Sequence, residues 1–407
     1  MIRRSVSAWP HVVVLEPHSS GLALSRAMVR AGARVTNVVA PGHDWETRSR
    51  RVERVIAPFD RDGEPWLAAI ERLASENGQL AVLPMTDRGS ELLAKAADRV
   101  PANVLAFELS GAGHLALMDK QTADGIARAA GVNVPWTRVV HSVEELDELA
   151  GEAPWPCVVK PIFSHDWRGR YGEERVFVVR DAAEAAQRVE RPLRDGVGML
   201  LCQYVPGSDA DVEEAIVVRL ADGSYPVCFG CRKLRQSPRG FGATAVGFSD
   251  PLPETTALAR RVLDAAGFVG VAGVETKRHP DTDERWFIEV NVRVPAQWGL
   301  GDACGADASR RLVAVLAGRA LDPPPAPRAG VGIVVPLLDA AVVRELLAEA
   351  PPHKRPALLL RLLRPYLRAR ELGLLDPRDP GPGFAWVRAV AGRRLKRLAG
   401  VISRTGR

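Results

Sequence analysis

In Phe287-Ile-Glu289-Val-Asn291-Val-Arg293, polar and apolar residues alternate with a period of two, as on a strand with one polar face. Glu289, Asn291 and Arg293 share that face at intervals of about 7 Å. A carboxylate and an amide oxygen are hard donors suited to Mg²⁺, and an adjacent guanidinium suits the phosphates that Mg²⁺ accompanies. Upstream, Val274-Glu275-Thr-Lys277 alternates in the same way, and a turn at Pro280-Asp-Thr-Asp283 would bring Glu275 across from Glu289. Two carboxylates and one Asn on such a hairpin can hold a pair of Mg²⁺ ions. The plainer reading is a solvated strand face with cross-strand charge pairs.

Two lysines further upstream favour the first reading. Lys160 ends the apolar strand Cys157-Val-Val and precedes Pro161, so its ammonium can touch phosphate without deep burial. The loop Phe163 to Gly172 could fold over the phosphates. Lys120 lies at a helix start 40 residues earlier. Nearer the N-terminus, the apolar strand His11–Glu16, a helix to Ala31 and a second strand, Arg34–Val39, form a βαβ unit without a GxGxxG fingerprint. Leu80–Leu83 is a third buried strand. It runs into Asp87, which is read as a helix N-cap in preference to a ligand at a strand's carboxyl end. From about Thr137 to Val292 strands outnumber helices, an antiparallel α+β pattern. Pro323-Pro-Pro-Ala-Pro327 reads as a stiff hinge. Ala357–Leu374 reads as a helix with Leu358, Leu359, Leu362, Leu363, Tyr366 and Leu367 on one face.

Composition limits the classes. At roughly 150 residues per domain, 407 residues make two or three domains. Residues 351–407 carry 14 Lys/Arg against 3 Asp/Glu, and the remainder is net −5, so a nucleic-acid role loses its main support. Five scattered cysteines suit a reducing, cytoplasmic setting. Cys228 and Cys231 form a CxxC with no second ligand pair, and are read as strand thiols rather than a zinc site. No segment is long and apolar enough to span a bilayer. The basic tail could lie on an anionic membrane surface, but packing of its Leu face on the preceding domain is favoured.

Five pieces then stand in order: Met118-Asp-Lys120, Val158-Val-Lys160-Pro161, Leu201-Cys-Gln203-Tyr-Val-Pro-Gly207, Val274-Glu275-Thr-Lys277 and Ile288-Glu289-Val-Asn291-Val-Arg293. Together they resemble the ATP-grasp superfamily of carboxylate–amine ligases over about residues 110–320. The stretch Arg232–Gly242 and Leu83-Pro-Met-Thr-Asp87 look like its D-aspartate-ligase-like subgroup.

The resemblance implies an α/β pre-ATP-grasp domain (1–110), an α+β ATP-grasp region (111–322, with a small lid subdomain at about 135–205 and a large subdomain at about 206–322) and a hinge with a basic helical extension (323–407). It implies ATP and Mg²⁺ as cofactors. Lys120 and Lys160 would contact the phosphates, and Gln203, Tyr204 and Val205 would line the adenine. Asp211 or Glu213 would take the ribose hydroxyls, and Glu275, Glu289 and Asn291 would hold Mg²⁺. Arg232, Lys233, Arg235 and Arg293 would neutralise the transferring phosphoryl group.

The implied reaction joins a carboxylate to an amine through an acyl-phosphate, with an amino acid or peptide as substrate. Dimers are common in the family. Two alternatives stay open: a non-catalytic ATP-binding module of the same fold, and transfer to a hydroxyl or thiol.

Overall fold

The computed structural model describes residues 10–42, 48–60, 62–110, 113–162, 167, 170–172 and 174–389. Its first sheet is parallel, with strands β1 (His11–Leu15), β2 (Arg34–Val39), β3 (Glu53–Ile56), β4 (Leu80–Pro84) and β5 (Val104–Leu105) in the order β3-β2-β1-β4-β5. The unbroken apolar runs of β1 and β4 suit strands covered on both faces. The helix His18–Arg30 covers one face and Glu64–Asn77 the other.

A four-stranded sheet follows: β6 (Thr137–Val140), β7 (Cys157–Pro161), β8 (Phe177–Val179) and β9 (Met199–Gln203), in the order β6-β9-β7-β8. The largest sheet has seven strands: β10 (Val212–Arg219), β11 (Val227–Ser237), β12 (Ala243–Ser249), β13 (Gly270–Arg278), β14 (Arg285–Asn291), β15 (Gly332–Val334) and β16 (Ala369–Glu371). Their order is β14-β13-β10-β11-β12-β15-β16. One face of this sheet packs on the helix Pro253–Ala265, through Ala215, Val217, Val274 and Leu258. The other face shares a core with the first sheet: Val12, Leu24 and Met28 join Phe229, Trp298 and Leu312. Two polar links hold this junction. Ser90 Oγ donates to Val292 O at 2.8 Å, and Val294 N–H donates to Pro84 O at 3.2 Å.

The C-terminal region departs from its sequence reading. Beyond the prolines the chain re-enters the large sheet as β15, paired with β12, so the segment after residue 323 does not stand apart. The expected helix over 357–374 is Arg355–Leu363 only, followed by a 3₁₀ turn, Arg364–Leu367, and β16. Pro365 lacks an N–H and restricts the residue before it, which ends the α-helix. Of its apolar face, Leu362 is buried and Tyr366 half-buried, but Leu359, Leu363 and Leu367 are exposed. The favoured packing of that face therefore holds only in part.

The chain then returns to the first domain. Arg26, on the helix His18–Arg30, is buried, pairs with Asp379 at 2.8 Å and also donates to the Gly373, Leu374 and Asp379 carbonyls. Arg26→Ala would leave the Asp379 carboxylate buried without its main partner, so a loss of about 3–5 kcal/mol is expected. Urea unfolding should place it in the midpoint, with the m-value unchanged.

A second stability prediction concerns Glu108, in the 3₁₀ turn Phe107–Ser110. It is buried with no partner on Oε2 among the described residues, and burial pushes its pKa up to about 8. The folded chain thus retains a proton that the unfolded chain releases near 4.5. Stability from this group is full below that value and is lost as pH rises through about 8. Carboxylates held low, such as Asp211 and Asp379, stay ionised in both states over this window. Glu108→Gln should therefore stabilise the chain at pH 8.5 relative to pH 5.5, by on the order of a few kcal/mol. Thermal melts of parent and variant at both pH values check this.

Candidate active site

The polar row predicted on the β13–β14 hairpin exists, and it is one carboxylate longer than the sequence suggested. In the register of β10, β13 and β14, Glu214 faces Glu275 and Glu275 faces Glu289. Residues directly opposite on adjacent strands point to the same side, so three carboxylates form a cross-strand row. Asn291 lies beside it, opposite Gly273. Gly273 makes the row fit, because a Cβ at that position would collide with Glu214 Oε1 and come within 2.8 Å of Pro295 Cγ.

Cations surround the row. Lys233, on β11, is 2 % exposed and donates to both Glu275 oxygens, at 2.8 and 2.9 Å, and to Gln236 Oε1 at 3.3 Å. Arg293 donates to Asn291 Oδ1 at 3.0 Å and to Asp87 Oδ1 at 2.8 Å. Lys120, at the start of the helix Lys120–Ala129, and Lys160, on β7, are both close enough to act on Glu289, and Lys160 is close enough to act on Lys120.

The electrostatics follow from burial and like charge. Burial first, and then the charge of Glu275, pushes Glu214 up to about 8; its Oε2 has no partner among the described residues. Burial also raises Glu275, against the pull of Lys233. Glu289 goes the other way: burial is its largest single influence and pushes it up, but Lys120, Lys160, Lys233 and Arg293 together hold it below the usual carboxylate range. Lys120 is lowered, chiefly by Lys160 and then by burial. One buried carboxylate, Glu214 with its orphaned oxygen, and two partly buried ones, Glu275 and Glu289, lie beside one amide oxygen and form a donor set of hard oxygens. Such a set suits Mg²⁺. Among the described residues no group of three or more His, Cys, Asp or Glu is already drawn together around an ion position, and Glu275 is held by Lys233 instead.

Four site expectations need correction. Arg232 points to the other face of the sheet, pairing with Glu213 at 2.7 Å and Asp250 at 2.9 Å. Glu213 is fully buried there, accepting from Thr255, so it is not placed for a ribose. Strand alternation separates it from Glu214, its neighbour in sequence. Arg235, after a bulge in the β11–β12 pairing, turns to Asp339 at 2.6 Å and to the Leu362 carbonyl at 3.0 Å. Asp211 is occupied at both oxygens: Oδ2 caps Ser208, and Oδ1 takes Arg278 at 2.6 Å.

Gln203 ends β9, and Tyr204 and Val205 begin the segment that leads from the small sheet to β10 of the large one. The Gln203 N–H donates to Trp136 O at 2.7 Å and that of Tyr204 to Pro156 O at 3.0 Å, while Lys277 Nζ stands 5.1 Å over the Tyr204 ring. Of the expected lid over 163–172, residues 163–166, 168 and 169 lie outside the described residues; Trp167 is buried against Tyr171 and Phe177. The CxxC thiols are both free on β11.

Asp87 is not the helix cap. Thr86 is, its Oγ1 accepting from the Gly89 N–H at 3.3 Å, which frees Asp87 for Arg293. Beside it, Glu16 ends β1 in a left-handed conformation (φ 50°) that few non-glycine residues adopt, and accepts from Thr86 Oγ1 at 2.8 Å and Arg88 Nε at 2.7 Å. The carboxyl ends of the parallel strands therefore open onto the carboxylate row, a usual position for a ligand in an open α/β sheet.

Comparison with solved structures bears on the fold. An ADP complex of N5-carboxyaminoimidazole ribonucleotide synthetase superposes with a TM-score of 0.62 and 18% identity, covering 85% of this chain and 87% of that one. The chain has the ATP-grasp fold. The same fold places it beside biotin carboxylase of Campylobacter jejuni (TM-score 0.60, 17% identity, 80% of this chain and 75% of that one). An L-amino acid ligase of Bacillus licheniformis is similar to the same degree (0.59, 17%, 78% of each).

In sequence, the chain is 27% identical over 214 residues to the N-terminal section of the carbamoyl phosphate synthase large chain of Methanopyrus kandleri. The match takes in 50% of this chain but only 36% of that protein. No protein-family model matches.

Proposed function

We propose that the chain is an ATP-dependent ligase that activates a carboxylate as an acyl-phosphate and joins it to an amine, releasing ADP and phosphate. The observation that carries this reading is the cross-strand row Glu214–Glu275–Glu289 with Asn291, faced by Lys120, Lys160, Lys233 and Arg293 where all three sheets meet. An amino acid as the carboxylate substrate, as in the D-aspartate-ligase-like subgroup, is part of the proposal.

Glu275, Glu289 and Asn291 would hold Mg²⁺, which would supply positive charge to the phosphate oxygens. The protein's own residues do the rest. Lys120 and Lys160 hold the polyphosphate, since Lys120 is lowered chiefly by the nearby charge of Lys160 and an anion between the two ammonium groups relieves that repulsion. The hinge at Gln203–Val205 receives the adenine. Arg293, fixed by Asp87, orients the substrate carboxylate, one oxygen of which attacks the γ-phosphorus as the bridging oxygen leaves with ADP. The amine nitrogen then bonds to the acyl carbon, phosphate departs with the bonding pair, and the amine gives up a proton.

The test is product analysis with MgATP and pooled amino acids. ADP and phosphate forming only with the pool supports the reading, and dividing the pool names the substrate. AMP and pyrophosphate, or ADP formed equally without any acceptor, would overturn it.

A further inference from the structure

On the side of the large sheet turned away from the carboxylate row, the helix Arg355–Leu363, its 3₁₀ extension and the helix Pro336–Glu349 enclose a cavity of about 420 Å³ against β11 and β12. A volume of that order suits a small organic ligand. Leu234, Phe248, Leu346 and Leu362 form its walls, which are mostly apolar.

Its rim has the opposite character. Arg361 near the end of the helix, Arg364 at the start of the 3₁₀ turn and Arg368 just beyond it all line the cavity. None has an acidic partner among the described residues. The other arginine of the lining, Arg235, is already neutralised by Asp339, to which Tyr366 also donates at 2.9 Å. The cavity thus combines an apolar body with three uncompensated guanidinium groups.

We propose that this cavity binds an amphipathic anion, with a hydrocarbon chain against the four apolar walls and a carboxylate or phosphate head on Arg361, Arg364 and Arg368. Planar guanidinium groups match either head group with paired hydrogen bonds, and an apolar chain favours these walls over water. Charge argues against the chain's own remaining segment as occupant: residues 390–407 hold six Lys/Arg and no acid. The same chemistry has two sources, a dispersed amphiphile or an anionic lipid in a bilayer. The second needs consideration because Leu360, Leu363 and Leu367 form an exposed stripe beside the arginines, Leu360 and Leu367 being 71 % and 83 % exposed.

Calorimetric titration of the full chain with dodecyl phosphate, dodecanoate and dodecyltrimethylammonium, below their micelle concentrations, tests the proposal. Both anions should bind and the cation should not. Arg361→Ser/Arg364→Ser/Arg368→Ser should weaken anion binding at least tenfold, and Leu346→Trp should block it by filling the cavity. Unchanged melting temperature and unchanged MgADP binding would establish that both variants are folded.

Vesicles of phosphatidylglycerol or phosphatidylcholine separate the sources. Binding to the anionic vesicles that Leu346→Trp also abolishes would identify a lipid drawn into the cavity. Vesicle binding that survives Leu346→Trp, with no binding of dispersed anions, would mean surface adsorption through the leucine stripe and would overturn the cavity site. Equal binding of the cationic probe, or self-association of the chain in place of any amphiphile binding, would overturn it too.

Discussion

Glu289→Gln should lower ligase turnover by about a hundred- to a thousandfold and leave the fold intact. Glutamine keeps the size and one acceptor oxygen of glutamate but removes the charge, and the charge is what this position supplies. Of the three carboxylates in the row, Glu289 is the one that four cations hold ionised, while burial and mutual repulsion push Glu214 and Glu275 toward the neutral form. A divalent cation entering the row would therefore meet the charge of Glu289 first, its two neighbours being pushed toward the neutral form. Loss of that charge weakens the metal and, with it, stabilisation of the transferring phosphoryl group; a single well-placed electrostatic contact is commonly worth about 10²–10³ in rate.

Stability should move the other way or not at all, because Glu289 is among the groups that raise its neighbours. Its removal relaxes the repulsion on Glu275 and Glu214. Steady-state assay, MgADP titration and thermal melting together check the prediction. A variant within tenfold of the parent in turnover would take the metal role away from Glu289.

Much of this site was legible in the sequence because it lies on strands, where a period of two assigns faces without tertiary information. Glu289, Asn291 and Arg293 follow from the alternation in β14, and Glu275 from the hairpin that pairs it with Glu289. The same rule fails one strand further in. Val212–Arg219 is apolar on both sides because it is central, so alternation could not tell whether Glu213 or Glu214 faced the site. Only the position of Gly273, the one place on the neighbouring strand where an absent side chain leaves room for a carboxylate, carried a signal for Glu214.

Arg235 was misplaced for a related reason: the irregular pairing after Lys233 breaks the alternation, and nothing local in Arg232–Gln236 announces the break. Asp87 illustrates a third limit. As a helix cap it was reasonable, but the adjacent Thr86 serves that role, and the partner that claims Asp87 lies 206 residues away. Long-range pairing of this kind is decided by how the sheets meet, and a reading confined to local pattern has no access to it. β16 and the Arg26–Asp379 clamp escaped for the same reason.

Lys233→Met carries the second large expectation, and it separates a structural from a catalytic contribution. Methionine matches the length of the lysine stem, so packing is largely kept while the ammonium is lost. Burial alone would depress the Lys233 pKa, yet it stands above the ordinary lysine value because Glu275 and Glu214 outweigh the desolvation. Lys233 is thus the cation that makes a buried pair of carboxylates tolerable in the absence of metal. Without it, Glu275 loses both of its short hydrogen bonds, and breaking a buried pair on one side costs about 3–5 kcal/mol.

The cost should be greatest at high pH. Below the usual carboxylate range Glu214 and Glu275 are neutral and the loss is small; as pH rises, Glu275, itself held above the usual range, and then Glu214, at about 8, would have to ionise with no ammonium between them. Added Mg²⁺ should restore stability to the variant more than to the parent, because the ion then supplies the missing positive charge and binds only the folded chain. Activity should not return with it. The ammonium occupies a fixed point beside Glu275 from which it can face the phosphoryl oxygens, and metal bound to the carboxylates leaves that point empty. Melting temperatures across pH 6–9 with and without Mg²⁺, alongside single-turnover assays, read the two effects separately. Equal Mg²⁺ stabilisation of parent and variant would mean that the ion does not bind at this row, and turnover rescued by Mg²⁺ would mean that Lys233 serves only to balance charge.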